Sequence, residues 1–263
     1  MLTAWTEEFI DEEINAAANN RLGGTYNALG DESTTLVREV FSRLKGMVGS
    51  TGLVIGSEHA WVEALALHAG AERVITMDYA NLHSQHPKLT AQLPLEVAED
   101  WLQGKLPSLN WVVTYSSIEH SGLGRYGDRL NPDGDRDAVR QVSCLLEPGG
   151  WLAIGFAMSC RNHGWIEFNA HRVYGYERLA YISQGFELIG FVRPCRPWSA
   201  KTFYPQPVFV LRKPNAGVMP PPLTAADFSD ARTLDAVLAA GVQRHDAGFV
   251  GLPSHSALLR SAR

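Results

Sequence analysis

Cysteine is scarce in this sequence: Cys144, Cys160 and Cys195 are the only three in 263 residues, far apart and without a CxxC pair. An odd, dispersed set indicates neither a disulfide framework nor a zinc ribbon, and it fits a reducing compartment. Lysine and arginine runs are missing as well, and 23 basic residues against 28 acidic ones give a formal charge of −5. That balance argues against nucleic acid or an anionic membrane surface as the main partner and leaves small molecules open. No apolar run approaches the length of a membrane span, and the acidic start MLTAWTEEFIDEE has no apolar stretch of signal length. A cytoplasmic location is therefore expected. The nine histidines form no HxxxH or HExxH pair, so no metal is expected.

What is present is the composition of an ordinary globular protein, 45% hydrophobic and 19% charged, on a chain long enough for a large core. Phe9, Ile10, Ile14 and Ala17, then Leu36, Val37, Val40, Phe41 and Leu44, recur at helical spacing. These spacings predict an N-terminal helical extension over 1–48. GLVIG, AWVEALALHAG and RVITMD then read as strand, helix and strand. The alternation continues with a weak candidate strand near LEVAE, a strong one at WVVTYS, a helix from Asp135 to Leu146 capped by Asp133 or Asp135, and a strand at WLAIGFAM. HRVYGYERLAYISQG reads as a helix, and FELIGFV and PVFVLRK close the unit as strands. Strands apolar on both faces and alternating with helices imply a Rossmann-like α/β fold over 49–213, its sheet mostly parallel with an antiparallel edge strand and helices on both faces. Residues 214–263 form a proline-rich linker, one helix and a tail.

In an open parallel sheet, ligands lie outside the carboxyl ends of the strands. Three strand ends should therefore converge: GSEHAW with Gly56, Ser57 and Glu58, MDYANL with Asp78 and Tyr79, and YSSIEH with Ser116, Ser117, Glu119 and His120. Gly56 and Ser57 could cradle an anion at a helix start or simply form a tight turn. Asp78, about 20 residues beyond the first turn, could accept from both ribose hydroxyls or cap a turn. His120 beside Glu119 could act as a general base, or Glu119 could pair with Arg125 and order the loop. Arg125 and Tyr126, and then Trp165, His171, Arg172 and Tyr174 around the later segment FNAHRVYGYERL, are candidates for the substrate side, with His171 a second candidate base.

The strand ending SSIEHSG, followed by a helix and LLEPGGWLAIG, resembles the second half of class I S-adenosylmethionine-dependent methyltransferases. More narrowly, GSEHAWVEALALHAGAERVITMDY, YSSIEHSGLGRYGDRLNPDGD and FNAHRVYG resemble the signature blocks of a family of unknown function placed among them, over residues 50 to 212. The resemblance implies a seven-stranded sheet, an adenosyl cofactor across the first two strand ends and substrate over the fourth and fifth. It implies Gly56, Ser57 and Glu58 at the methionine side, Asp78 at the ribose with Tyr79 beside it, and Ser116 to His120 near the methyl group. Val54 stands where the superfamily has an acid, and Glu58 and Ala60 stand where it has further glycines. The implied activity is methyl transfer from S-adenosyl-L-methionine to oxygen or nitrogen of a small-molecule or glycan acceptor. A non-catalytic protein on this fold and a nucleotide-linked oxidoreductase or epimerase are the alternatives.

Overall fold

The computed structural model describes residues 3–23, 32–193, 195 and 204–241. Seven strands make the central sheet: β2 (Thr51–Ile55), β3 (Arg73–Met77), β5 (Leu89–Gln92), β6 (Leu109–Tyr115), β7 (Leu146–Gly155), β10 (Glu187–Val192) and β11 (Val208–Arg212). Their order is β5-β3-β2-β6-β7-β11-β10. Every pairing is parallel except those of β11, which runs antiparallel to both β7 and β10. The antiparallel strand thus lies one place inside the edge, and β10 takes the edge position. The seven-stranded, mostly parallel Rossmann-like sheet expected from the sequence is present.

Apolar runs build it because successive side chains leave opposite faces. Val54, Val74, Trp111, Val113, Ala153 and Val210 join one core, while their neighbours Leu53, Ile75, Val112, Leu152, Ile154 and Leu211 join the other. The first core is covered by α1 (Glu7–Ala18), α2 (Ser33–Arg43) and α3 (Trp61–His68), and the second by α5 (Gly134–Leu145), α6 (Tyr176–Ile182) and α7 (Ala225–Ser229). Thr6 starts α1 by accepting from Phe9 N, with Glu7 and Glu8 in the first turn, where acidic side chains favour the free amides.

The LEVAE segment is a correction. It lies inside α4 (Pro94–Leu102), and the strand is LTAQ, just before it. Pro94 in the first turn and Glu96, which accepts from Leu93 N at 2.7 Å, start a helix where two aliphatics in alternation suggested a strand. Asp133 makes no side-chain cap to α5, whereas Asp135 Oδ1 accepts from a free first-turn amide, Arg136 N at 2.9 Å, while two arginines also hold its carboxylate. The segment HRVYGYERLAYISQG splits, Arg172–Val173 forming β9 against β8 (Trp165–Ile166) before α6 begins. The single helix expected after the proline-rich linker is two, α7 and α8 (Leu234–Gly241), and the tail lies outside the described residues.

Two further features depart from expectation. Cys160 and Cys195 are paired in a disulfide with Cα atoms 5.4 Å apart; the partners come from opposite sides of α6, which sequence spacing alone could not match. The crossover from β3 to β5 contains no helix. Its loop carries β4 (Leu82–Ser84), which pairs in parallel with β1 (Thr3–Trp5), Thr3 facing Leu82 and Trp5 facing Ser84, and α1 packs on α3. No helix among the described residues is long and apolar enough to cross a membrane.

Candidate functional site

A cleft of about 1820 Å³ opens at the carboxyl ends of β2, β3 and β6. It exceeds the few hundred to 1,000 Å³ of a typical single-ligand pocket, so two ligands fit side by side. Gly56, Ser57, Glu58, Asp78, Tyr79, Ser116, Ser117, Glu119 and His120 all line it, so the three strand ends do meet.

At the first strand end the chain turns sharply. Gly56 has φ +74°, and a Cβ there would stand 2.1 Å from Ser117 Oγ, so only glycine admits both the left-handed backbone and the close approach of the β6 end. Asp78 holds this turn from the neighbouring strand: Oδ2 accepts from Ser57 N at 2.8 Å and Oδ1 from Ala80 N at 2.7 Å. A carboxylate has about four acceptor positions, so both oxygens keep capacity toward the cleft. Val54 is buried in the sheet core and Ala60 is fully buried; the two departures from the superfamily pattern serve packing, whereas Glu58 is exposed on the cleft wall.

Beneath the turn lies a carboxyl group that pattern reading missed. Glu63 is 0% exposed, accepting from Thr76 Oγ1 at 2.6 Å and lying 3.0 Å from Ser57 Oγ, itself 2.7 Å from His59 O. Ser57 Oγ has one proton and two acceptors, His59 O and Glu63 Oε2; a protonated Glu63 can itself donate to Ser57 Oγ, so that both contacts are satisfied at once. Burial in turn pushes the Glu63 carboxyl up to about 7. The signal was a lone acid in the apolar helix WVEALALH. Because the folded-state value is raised above the ordinary 4.5, the neutral acid contributes fully at low pH, and stability is lost as pH rises from about 4.5 through 7. Glu63→Gln keeps both contacts with no proton to lose. It is expected to match the parent at pH 5 and to unfold at a higher temperature than the parent at pH 8; equal melting temperatures at pH 8 would reject the protonated assignment.

At the β6 end, Ser116 adopts φ +52°, an uncommon conformation for a residue with a side chain that is held here by its Oγ donating to Glu119 Oε1 at 2.9 Å. Glu119 is turned inward at 1% exposure, and burial raises it to about 7. Arg125 is not its partner, since that side chain donates to Asn169 O at 3.2 Å. His120 Nδ1 is 2.6 Å from Ala170 O, so Nδ1 carries the proton; burial above all lowers the His120 pKa, and the neutral ring keeps a free lone pair on Nε2. His171 is lowered for the same reason, and its ring centroid is 5.8 Å from that of His120. Arg125 and Tyr126 line the cleft beside them. The loop between β6 and α5 depends on Gly122, φ +78°, where a Cβ would meet Asn131 O at 2.1 Å; Gly122 N donates to Asp128 Oδ2 at 2.6 Å.

Arg172 and Tyr174 do not reach the cleft, which corrects their expected substrate role. Arg172 is 5% exposed and donates to Ser121 O at 2.6 Å and to Pro132 O at 3.2 Å. Tyr174 is 1% exposed, stacked on Phe156 and donating to Asp135 at 2.9 Å. Arg172 and Val173 of β9 and the following Tyr174 are all buried. Trp165 does not line the cleft directly; its ring leans on Tyr204 at 5.8 Å, and Tyr204 does line it. Tyr204 and Gln206 were missed because they come from the run into β11, nearly 90 residues from His120 in sequence. Among the described residues, no group of three or more His, Cys, Asp or Glu side chains is placed to hold a metal ion.

Comparison with known families bears on this geometry. Residues 49–194, more than half of the chain, match the family described as Caenorhabditis protein of unknown function, DUF268. The chain belongs to that family. The matched span runs from β2 to just past β10 and so contains all three cleft-forming strand ends of this DUF268 member. No curated protein matches the chain. Among solved structures it is similar to 1,6-didemethyltoxoflavin-N1-methyltransferase of Burkholderia thailandensis, crystallised with S-adenosylhomocysteine, at 15% identity over 78% of this chain and 87% of that one, TM-score 0.47. It is also similar to the N-methyltransferase NodS of Bradyrhizobium japonicum at 19% identity over 80% and 98%, TM-score 0.46, and to a putative hemolysin of Lactococcus lactis at 12% over 81% and 97%, TM-score 0.49.

Proposed function

We propose that this DUF268 protein is an S-adenosylmethionine-dependent methyltransferase acting on oxygen or nitrogen of a small-molecule or glycan acceptor. The observation that carries the reading is the junction of Gly56, Asp78 and Ser117: a turn only glycine can make, held by a carboxylate whose remaining acceptor positions face the cleft. These residues fit an adenosyl cofactor, with Asp78 to hold the ribose hydroxyls, Tyr79 and the α4 end to flank the base, and Gly56 to Glu58 to receive the methionine end. The cofactor supplies a methyl group already activated on a sulfonium. The protein then has to orient the acceptor, exclude water and remove a proton where the acceptor is a hydroxyl.

His120 suits that last task because Ala170 O fixes its tautomer and burial keeps it neutral. Glu119, buried at the cleft floor, orders the turn that carries His120. Titration calorimetry with S-adenosylmethionine and S-adenosylhomocysteine tests the reading, with micromolar binding expected; absence of binding in folded protein would favour a non-catalytic role. With any acceptor found by a screen for S-adenosylhomocysteine release, His120→Ala is expected to lower turnover by about 10²–10⁴-fold while leaving S-adenosylhomocysteine affinity unchanged. Unchanged turnover would rule out His120 as the base.

A further inference from the structure

Buried polar atoms are nearly always hydrogen-bonded, since an unpaired one costs about 1–3 kcal/mol. Among the described residues, six buried side-chain atoms have no partner, and four of them belong to residues that line the cleft: Glu119 Oε2, Asp128 Oδ1, His171 Nε2 and Gln206 Oε1. The four residues come from three separate segments, the β6 end with the loop after it, the turn into β9 and the run into β11. Four residues with an unpartnered polar atom thus border one end of the cleft.

Their chemistry restricts the ligand. Asp128 Oδ1 and Gln206 Oε1 accept only, so the ligand must offer donors. His171 Nε2 and Glu119 Oε2 accept or donate according to protonation, and a hydroxyl group answers both cases. A phosphate or carboxylate offers no donor and would bring negative charge against Asp128. A cationic ligand is disfavoured by Arg125, which also lines this end and whose charge helps lower both His120 and His171. A neutral, hydroxyl-rich ligand remains.

The walls agree with that. Tyr126, His120, His171 and Tyr204 form a continuous row of edge-to-face rings, with successive centroids 5.4, 5.8 and 6.1 Å apart. Tyr126 is 60% exposed. Such a row offers apolar ring surface next to polar tips, which suits a molecule with C–H faces and a hydroxyl rim. We propose that this end of the cleft binds a neutral pyranose unit, its hydroxyls on Glu119, Asp128, His171 and Gln206 and its C–H face on Tyr126. The sugar's role as methyl acceptor rests on the methyltransferase reading; its binding does not.

Saturation-transfer NMR on the full chain, with and without S-adenosylhomocysteine, tests this with the methyl α-pyranosides of glucose, galactose, mannose, L-rhamnose and L-fucose as probes. Transfer to the ring protons of at least one glycoside is expected. Its affinity should fall about tenfold in Gln206→Leu, the loss of one hydrogen bond, and by a similar factor in Tyr126→Ala. Silence from all five glycosides in protein that binds S-adenosylhomocysteine would overturn the proposal, as would binding equal in parent and both variants. Sugar binding without any S-adenosylhomocysteine binding would retain the carbohydrate site and reject methyl transfer.

Discussion

Replacing Asp78 with Ala is expected to weaken S-adenosylhomocysteine binding by about 10²-fold or more. A carboxylate accepting from two ribose hydroxyls makes charge-assisted hydrogen bonds of about 1.5–3 kcal/mol each, and 10²-fold corresponds to about 2.7 kcal/mol. Part of the loss has another origin. Asp78 also accepts from Ser57 N and Ala80 N, so the variant frees two backbone amides and loosens the Gly56 turn. Asp78→Asn separates the contributions, because its amide oxygen can still accept from one of those amides while the charge is gone. Calorimetry on the three proteins should rank them parent, Asn, Ala. Affinity unchanged in Asp78→Ala would remove the adenosyl assignment from this strand end, and circular dichroism confirms that each variant is folded.

Asp135→Ala is expected to cost about 3–5 kcal/mol of stability, the penalty for leaving a buried charge without its partner. Asp135 is fully buried and receives Arg178 at 2.5 and 3.1 Å, Tyr174 at 2.9 Å and the Arg172 guanidinium at 3.6 Å. Arg172 spends its other donors on carbonyls of the loop between β6 and α5. Without Asp135, that buried guanidinium has no counter-charge, and the loop carrying His120 and Asp128 loses its anchor. Urea unfolding measures the first effect and amide exchange across residues 119–132 the second. The control is Asp133→Ala, which removes a part-exposed pair to Arg178 at 3.3 Å and should cost no more than about 1 kcal/mol. Equal effects from the two substitutions would show that burial of the network does not matter.

The sequence carried the sheet because its strands are apolar on both faces, a pattern that leaves little alternative to a covered parallel sheet. It carried the cleft formed by β2, β3 and β6 because Gly56, Asp78 and Ser116 fall at strand ends, and topology alone brings those together. It failed at LEVAE, where a proline start and a side-chain cap outweigh an aliphatic alternation, and at LTAQ, an edge strand too polar to stand out. The opposite end of the cleft was legible only in part. Residues 116–126 lie in one continuous stretch, but Gln206, Tyr204 and the Cys160–Cys195 pair depend on how α6 returns the chain, and no local pattern encodes that distance. Arg172 and Tyr174 look like site residues in a linear reading because polar and aromatic groups cluster there; their contacts with buried Asp135 make them scaffold.

The pairing of β1 with β4 ties Thr3–Trp5 to the loop that follows Asp78. Only three residues separate Asp78 from Leu82, where Thr3 lies alongside. Handles fused ahead of Thr3, and truncations that remove β1, therefore act on the support behind Asp78. The practical corollary concerns reagents: the apparent Kd for adenosyl nucleotides should be compared between tagged and cleaved protein before any difference is assigned to the cleft itself.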